Sequence, residues 1–261
     1  PFRRGTSAQS APPPNPLHMT SPTSQYSTCT VGLTTAQDFA THGYALVRDV
    51  MGAPQCAALA DQATRRHAAS HTLSGGTRNM LAQPWCAALA QQLRAHPNIS
   101  ACLPADARAV QCTYFEKTAD RNWLVAPHQD LSVPVAQQVA APGWQGWSAK
   151  EGHWFVQPPA TWLAHMVAVR LHLDDCGPSD GPLRVLPGTH TQGRLSPTSM
   201  ATLRQQGTET VCTAPAGAAL LMRPLLVHAS SKSTGTSRRR VLHFVFGPAT
   251  LPHGLRWHTT A

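Results

Sequence analysis

Met166-Val-Ala-Val-Arg-Leu-His-Leu173 alternates without a break: Val167, Val169, Leu171 and Leu173 fall on one side, and Met166, Ala168, Arg170 and His172 on the other. A period of two is that of a β-strand, whose successive side chains leave opposite faces. This strand has one wholly apolar face and one that carries Arg170 and His172. Short runs of the same texture recur at 110–115, 128–135, 183–186, 218–222, 225–229 and 240–246, separated by Gly and Pro turns. Their number and spacing predict a mainly β fold, a jelly roll.

Upstream the texture differs. Residues 34–69 mix Ala, Leu, Gln and Arg, and both Thr35-Ala-Gln-Asp38 and Ala53-Pro54 read as helix starts. Two helices around a short strand at 44–49 are expected, and a third helix over 84–94. Ala/Leu helices of this kind serve as a packing layer against a β core. Residues 1–22 are rich in Pro, Ser and Thr and lack the apolar stretch of a signal peptide. A disordered extension over 1–30 and one domain over 31–261 are therefore expected, with Met19 a candidate natural start.

The chain has 261 residues, 42% of them hydrophobic, and no run of eighteen uncharged apolar residues, so it is long enough for one sizeable core and has no membrane-spanning stretch. Its net charge of +9 raises the question of nucleic acid. The basic residues are dispersed, however, with Arg238-Arg239-Arg240 the one tight cluster and no basic stripe interleaved with aromatics, so the charge points to solubility and to anionic ligands. Seven cysteines, an odd number and none in C-x-x-C spacing, suit reduced thiols in a cytoplasmic protein.

The stretch 142–159 holds Trp144, Trp147 and Trp154. It is too irregular for a helix and too apolar for a solvated loop, so it reads as a packed insertion that either covers the barrel edge or acts as a lid. With Trp123, these tryptophans form either an aromatic wall for an apolar or amino-acid-like substrate or part of the core.

His128-Gln129-Asp130 sets an imidazole and a carboxylate two positions apart, on one face of a strand if the segment is extended. His228 ends the apolar run Leu225-Leu-Val227, and Arg239 follows eleven residues later across a polar turn. If that turn carries the chain from one sheet to the other, both side chains face inward. Two histidines and one carboxylate make the facial triad of Fe(II) oxygenases, which leaves positions open for a 2-oxo acid and O2. An arginine nearby suits the distal carboxylate of 2-oxoglutarate, which its planar fork meets with two charge-assisted hydrogen bonds. His172-Leu-Asp174 has the same H-x-D spacing, and spacing alone does not choose between them.

Three blocks resemble the phytanoyl-CoA dioxygenase family: His128-Gln-Asp-Leu131, Asp180-Gly-Pro-Leu-Arg-Val-Leu-Pro-Gly-Thr-His190, and His228-Ala-Ser230 with Arg239 eleven residues past the histidine. They stand in order within residues 109–246. The resemblance implies a double-stranded β-helix with N-terminal packing helices, Fe(II) on His128, Asp130 and His228, and 2-oxoglutarate on Arg239 with help from Ser230. It favours His128 over His172 and picks Arg239 from its arginine neighbours. Arg170, eleven residues before Gly181, falls where the family lines the cosubstrate pocket. With a carboxylate at Asp130 rather than the small residue of related halogenases, the implied reaction is hydroxylation of a small molecule, with 2-oxoglutarate and O2 converted to succinate and CO2. No basic groove for a CoA phosphate is evident, so phytanoyl-CoA itself is not the expected substrate.

Two alternatives stay open on sequence: a cupin-like metal enzyme that uses the same triad without 2-oxoglutarate, and a binding or sensor domain that keeps the site without turnover. The expected partner is a small-molecule substrate, with no nucleic acid and no membrane, in a monomer or homodimer.

Overall fold

The alternation at 166–173 becomes the central strand of a sheet whose two faces meet different neighbours. The computed structural model describes residues 27–28, 36–69 and 76–261. In chain order these form β1 (Ser27–Thr28), α1 (Ala36–His42), β2 (Tyr44–Val47), α2 (Ala53–Ala68), β3 (Gly76–Thr77), α3 (Pro84–Ala95), α4 (Pro97–Ser100), β4 (Arg108–Lys117), β5 (Val125–His128) and β6 (Val133–Val135). There follow β7 (Gln145–Lys150), β8 (His153–Gln157), α5 (Ala160–Ala164), β9 (Val167–His172), β10 (Leu183–Val185), α6 (Pro197–Gln206), β11 (Thr210–Cys212), β12 (Ala219–Met222), β13 (His228–Ser230) and β14 (Arg239–Gly247). The extension expected over 1–30 lies outside the described residues, save for Ser27–Thr28, which pair in parallel with Thr210 and Val211.

A six-stranded sheet in the order β2-β12-β9-β14-β4-β3 faces a five-stranded sheet in the order β1-β11-β10-β13-β5, the arrangement of a jelly roll. The outer face of the larger sheet, with Val167, Val169, Leu171, Leu242 and Phe244, packs against Phe39, Ala60, Ala63, Leu89 and Leu93 of α1, α2 and α3. Each fully buried Leu or Phe there contributes roughly 1.5 to 3 kcal/mol. Between the sheets Tyr44, Leu46, Ala168, Leu220 and Met222 meet Leu183, Val185 and Cys212. Ala168 thus faces inward, and with it the Arg170 and His172 side of β9, both residues being buried.

Three expectations are corrected. The run 128–135 is not one strand. It divides into β5 of the five-stranded sheet and β6 of a separate three-stranded sheet, β6-β8-β7, because the chain must leave the barrel wall after His128. The run 225–229 is a strand only from His228 to Ser230, since Leu226 N–H turns back to Arg223 O. The Trp-rich stretch forms a hairpin, β7–β8, whose register shifts between Gln145 and Ser148 and which is closed by a turn at Glu151-Gly152, where both residues adopt positive φ. Trp144 is buried beside Val133, Val156, Leu163 and Trp257, Trp147 packs on that cluster, and Trp154 is 40% exposed. The aromatic wall therefore does not form, and Trp123 alone of the four lines the central cavity.

Candidate active site

β5 and β13 run side by side with His128 opposite His228, and the two imidazoles lie 4.1 Å apart between centroids. Asp130 lies beyond the end of β5, so its position owes nothing to strand alternation. Its N–H donates to Pro224 O at 2.8 Å. Gln129 supplies the anchor. Its Nε2 donates to Gly193 O at 2.8 Å and Leu225 O at 2.7 Å, and its Oε1 accepts from Leu195 N–H at 2.9 Å. The buried amide thus pins the segment while His128 and Asp130 turn into the barrel.

Ligand atoms of His128, Asp130 and His228 all lie within 4.8 Å of one another. The Nδ1 of His128 is 2.8 Å from Ala126 O and that of His228 is 2.9 Å from Leu226 O. A carbonyl only accepts, so each Nδ1 carries a proton, and each Nε2, 3.7 and 3.8 Å from the carboxylate oxygens of Asp130, is the atom left to ligate. Burial pushes His228 down to about 4, which keeps it neutral, as a metal ligand must be. At Asp130 burial opposes ionisation, but coupling to His228, to His243, which also donates a hydrogen bond, and to His128, whenever these imidazoles are protonated, outweighs it and holds the carboxyl well below its ordinary range. Two imidazoles with Nδ1 held by carbonyls and one carboxylate fit a divalent iron, which would take the place of those protons and leave positions open.

His243, on the inward face of β14, was not anticipated. Its Nε2 stands 3.6 Å from Asp130 Oδ2. Its parity with Arg239 along the strand was the signal available in the sequence.

The same cavity continues to a cationic end. Arg239 is buried, with Nη1 donating to Gly181 O at 2.5 Å. Ser230 Oγ donates to the same carbonyl at 2.9 Å and accepts from Lys117 Nζ at 2.8 Å. Lys117, the second residue that sequence reasoning missed, faces Arg239 across the β4–β14 pair. Burial, then Arg239 and Arg170, push its ammonium down to about 7. Arg170 is buried with its guanidinium 5.5 Å over the Phe115 ring, and burial followed by Arg239 pushes it down to about 9. The Nε atoms of Arg170 and Arg239 have no protein partner. Neither guanidinium is in an ion pair with a carboxylate, and buried cations so placed along one cavity form a seat for an anion.

The ambiguities left by spacing are resolved by partners. Asp174 accepts from Nε and Nη2 of Arg240 at 2.8 and 2.7 Å, so His172-Leu-Asp174 is not a ligand pair. Arg238 pairs with Glu116 on the outside, which leaves Arg239 as the inward arginine. The cluster 238–240 therefore makes no basic patch. Gly181 has φ +64°, and a Cβ there would stand 2.5 Å from Ser231 O, so glycine is what permits the carbonyl that Ser230 and Arg239 share.

A jelly roll that converges two histidines and a carboxylate beside a buried arginine defines a mononuclear metal enzyme. Residues 39–241 match the phytanoyl-CoA dioxygenase (PhyH) family, and the chain belongs to it, as an Fe(II)- and 2-oxoglutarate-dependent enzyme. Among curated protein sequences there is no match. Solved structures similar in fold include the α-ketoglutarate-dependent epimerase SnoN of nogalamycin biosynthesis (16% identity, TM-score 0.61, covering 82% of this chain and 80% of that one). EctD from S. alaskensis (18%, 0.62, 85% and 80%) and HygX from Streptomyces hygroscopicus (18%, 0.60, 85% and 89%) are similar too. Among the described residues no helix is long and apolar enough to cross a membrane.

Proposed function

We propose that the chain hydroxylates a small organic molecule R–H, with 2-oxoglutarate and O2 giving R–OH, succinate and CO2, and that His128, Asp130 and His228 hold the iron. The observation that carries this reading is the placement of the three donors and of Arg239 in one cavity of about 350 Å³. HygX, of similar fold, has been crystallised with nickel and 2-oxoglutarate, which supports the same pair of occupants here.

Iron bound at the triad would supply the redox chemistry that couples decarboxylation of 2-oxoglutarate to oxidation of a substrate C–H bond. The protein's own residues do the rest. The carbonyls of Ala126 and Leu226 hold His128 and His228 in the ligating tautomer. Arg239, with Lys117 and Ser230 beside it, takes the distal carboxylate of 2-oxoglutarate, and Arg170 closes that end from the neighbouring strand. The remaining apolar walls keep water from the reacting C–H bond.

The test is to add Fe(II) and then 2-oxoglutarate anaerobically to the metal-free protein and record the visible charge-transfer band. Wild type should form it and His128→Ala should not. Arg239→Ala should need roughly 10- to 100-fold more 2-oxoglutarate, the worth of a hydrogen bond to a charged group. A folded, iron-loaded wild type without the band refutes the proposal.

A further inference from the structure

The cavity has a second half, on the other side of the metal donors from the cosubstrate seat. Along the inner face of β4, Lys117, Phe115, Thr113 and Gln111 succeed one another over roughly 20 Å. Thr113 pairs with His243, which stands beside Asp130, so the donors lie near the middle of this row. Beyond them the walls are Val133, Phe155, Leu163, Met166 and Val245. Behind these walls lie two buried polar atoms with no protein partner, Gln111 Oε1 and His243 Nδ1.

At its far end is Lys150, the last residue of β7, with Nζ 4.8 Å over the Phe155 ring. Its neighbour Glu151 does not neutralise it. Glu151 Oε1 accepts from Arg78 Nη1 at 2.8 Å and Oε2 accepts from Arg78 N–H at 3.0 Å, so both oxygens are committed. Among the described residues lining the cavity Asp130 is the one carboxylate. Asp130 and the chelating carboxylate of 2-oxoglutarate offset the two charges of Fe(II), and its distal carboxylate faces Arg239 at the other end, so none of the three is left for Lys150. Its half-buried ammonium faces an apolar chamber without a counter-charge of its own.

From this geometry, and resting on the oxygenase reading above, we infer that the substrate is a small carboxylic acid. Its carboxylate pairs with Lys150, and its apolar body lies against Phe155, Leu163, Met166 and Val245. Anchored there, the molecule presents a C–H bond from its middle to the metal. An ammonium over an aromatic ring holds an anion in place without enclosing it, which suits a product that must leave.

The experiment uses the full chain loaded anaerobically with Fe(II) and 2-oxoglutarate, and a panel of small aliphatic and aromatic carboxylates, each paired with its own primary amide. Binding is read as a change in the charge-transfer band, and turnover as added succinate once O2 is admitted. Wild type should favour acids over their amides by about tenfold or more, the value of one charge-assisted hydrogen bond. Lys150→Gln should lose that preference with the band itself intact, and Lys150→Arg should restore it. The inference is overturned if wild type binds acid and amide alike, binds neither across the panel, or if Lys150→Gln keeps the preference. Absence of the band in wild type overturns the oxygenase reading itself, a different result from loss of acid preference in protein that forms it.

Discussion

Lys117→Met should make the metal-free protein more stable while weakening its hold on 2-oxoglutarate. The ammonium is 1% exposed and is pushed from 10.5 down to about 7, chiefly by burial. A shift of that size corresponds to a folding penalty of about 5 kcal/mol at most, at roughly 1.4 kcal/mol per pH unit. Against it stands the loss of two hydrogen bonds, to Ser230 Oγ and to Ser231 O at 2.5 Å. Ser230 Oγ keeps its bond to Gly181 O, so Ser231 O is the acceptor chiefly left unpaired, at about 1 to 3 kcal/mol, and the variant should gain roughly 2 to 4 kcal/mol near pH 6.

The sign follows from proton counting. Folding lowers the affinity of this group for its proton, so the unfolded chain binds more protons between about pH 7 and 10.5 and stability rises with pH across that window. The penalty is complete below about pH 7, shrinks above it and is gone beyond 10.5. Thermal unfolding of wild type and variant from about pH 6 to 10 should show the variant several degrees higher at the acid end, at about 2 to 4 °C per kcal/mol. The gap should close and then invert toward pH 10. In the same variant the charge-transfer titration should need roughly 10- to 100-fold more 2-oxoglutarate. A variant less stable than wild type near pH 6, or a gap that does not change with pH, would refute the reasoning.

Two further outcomes are expected. Gln129→Leu leaves two carbonyls and one N–H without their partners. It should cost about 2 to 4 kcal/mol in denaturant unfolding and lower iron affinity by roughly 10- to 100-fold, because the segment that aims His128 and Asp130 is no longer pinned. Arg238→Met and Arg240→Met remove pairs on the outer side of the barrel, with Glu116 and Asp174. Both should leave the 2-oxoglutarate requirement within about twofold of wild type, whereas Arg239→Met raises it by at least tenfold. Equal effects of all three would show that the inward register has been misassigned.

Much of the architecture was legible along the chain, because local periodicity survives folding. The alternation at 166–173 predicts both faces of β9, and the Ala/Leu segments predict α2 and α3 nearly to their ends. The misread stretches are those where tertiary pairing overrides local pattern. Gln129 draws its segment out of the barrel wall and ends β5 at His128. The tryptophans of 142–159 hide a hairpin because positive φ at Glu151 and Gly152 leaves little trace in composition.

Sequence by itself determined the strand pattern and, through three motif blocks, the family and which histidines, aspartate and arginine to examine. It did so because motif spacing is a property of one chain segment at a time. Only the tertiary structure decided that Asp174 belongs to Arg240, that Arg239 turns inward between two outward neighbours, that Lys117 stands behind Ser230, and that His243 stands beside Asp130. These facts arise from contacts between strands far apart in the chain. Burial there sets the charge state of Lys117, and the pairing of β4 with β14 sets what faces it, neither of which any single stretch of residues encodes.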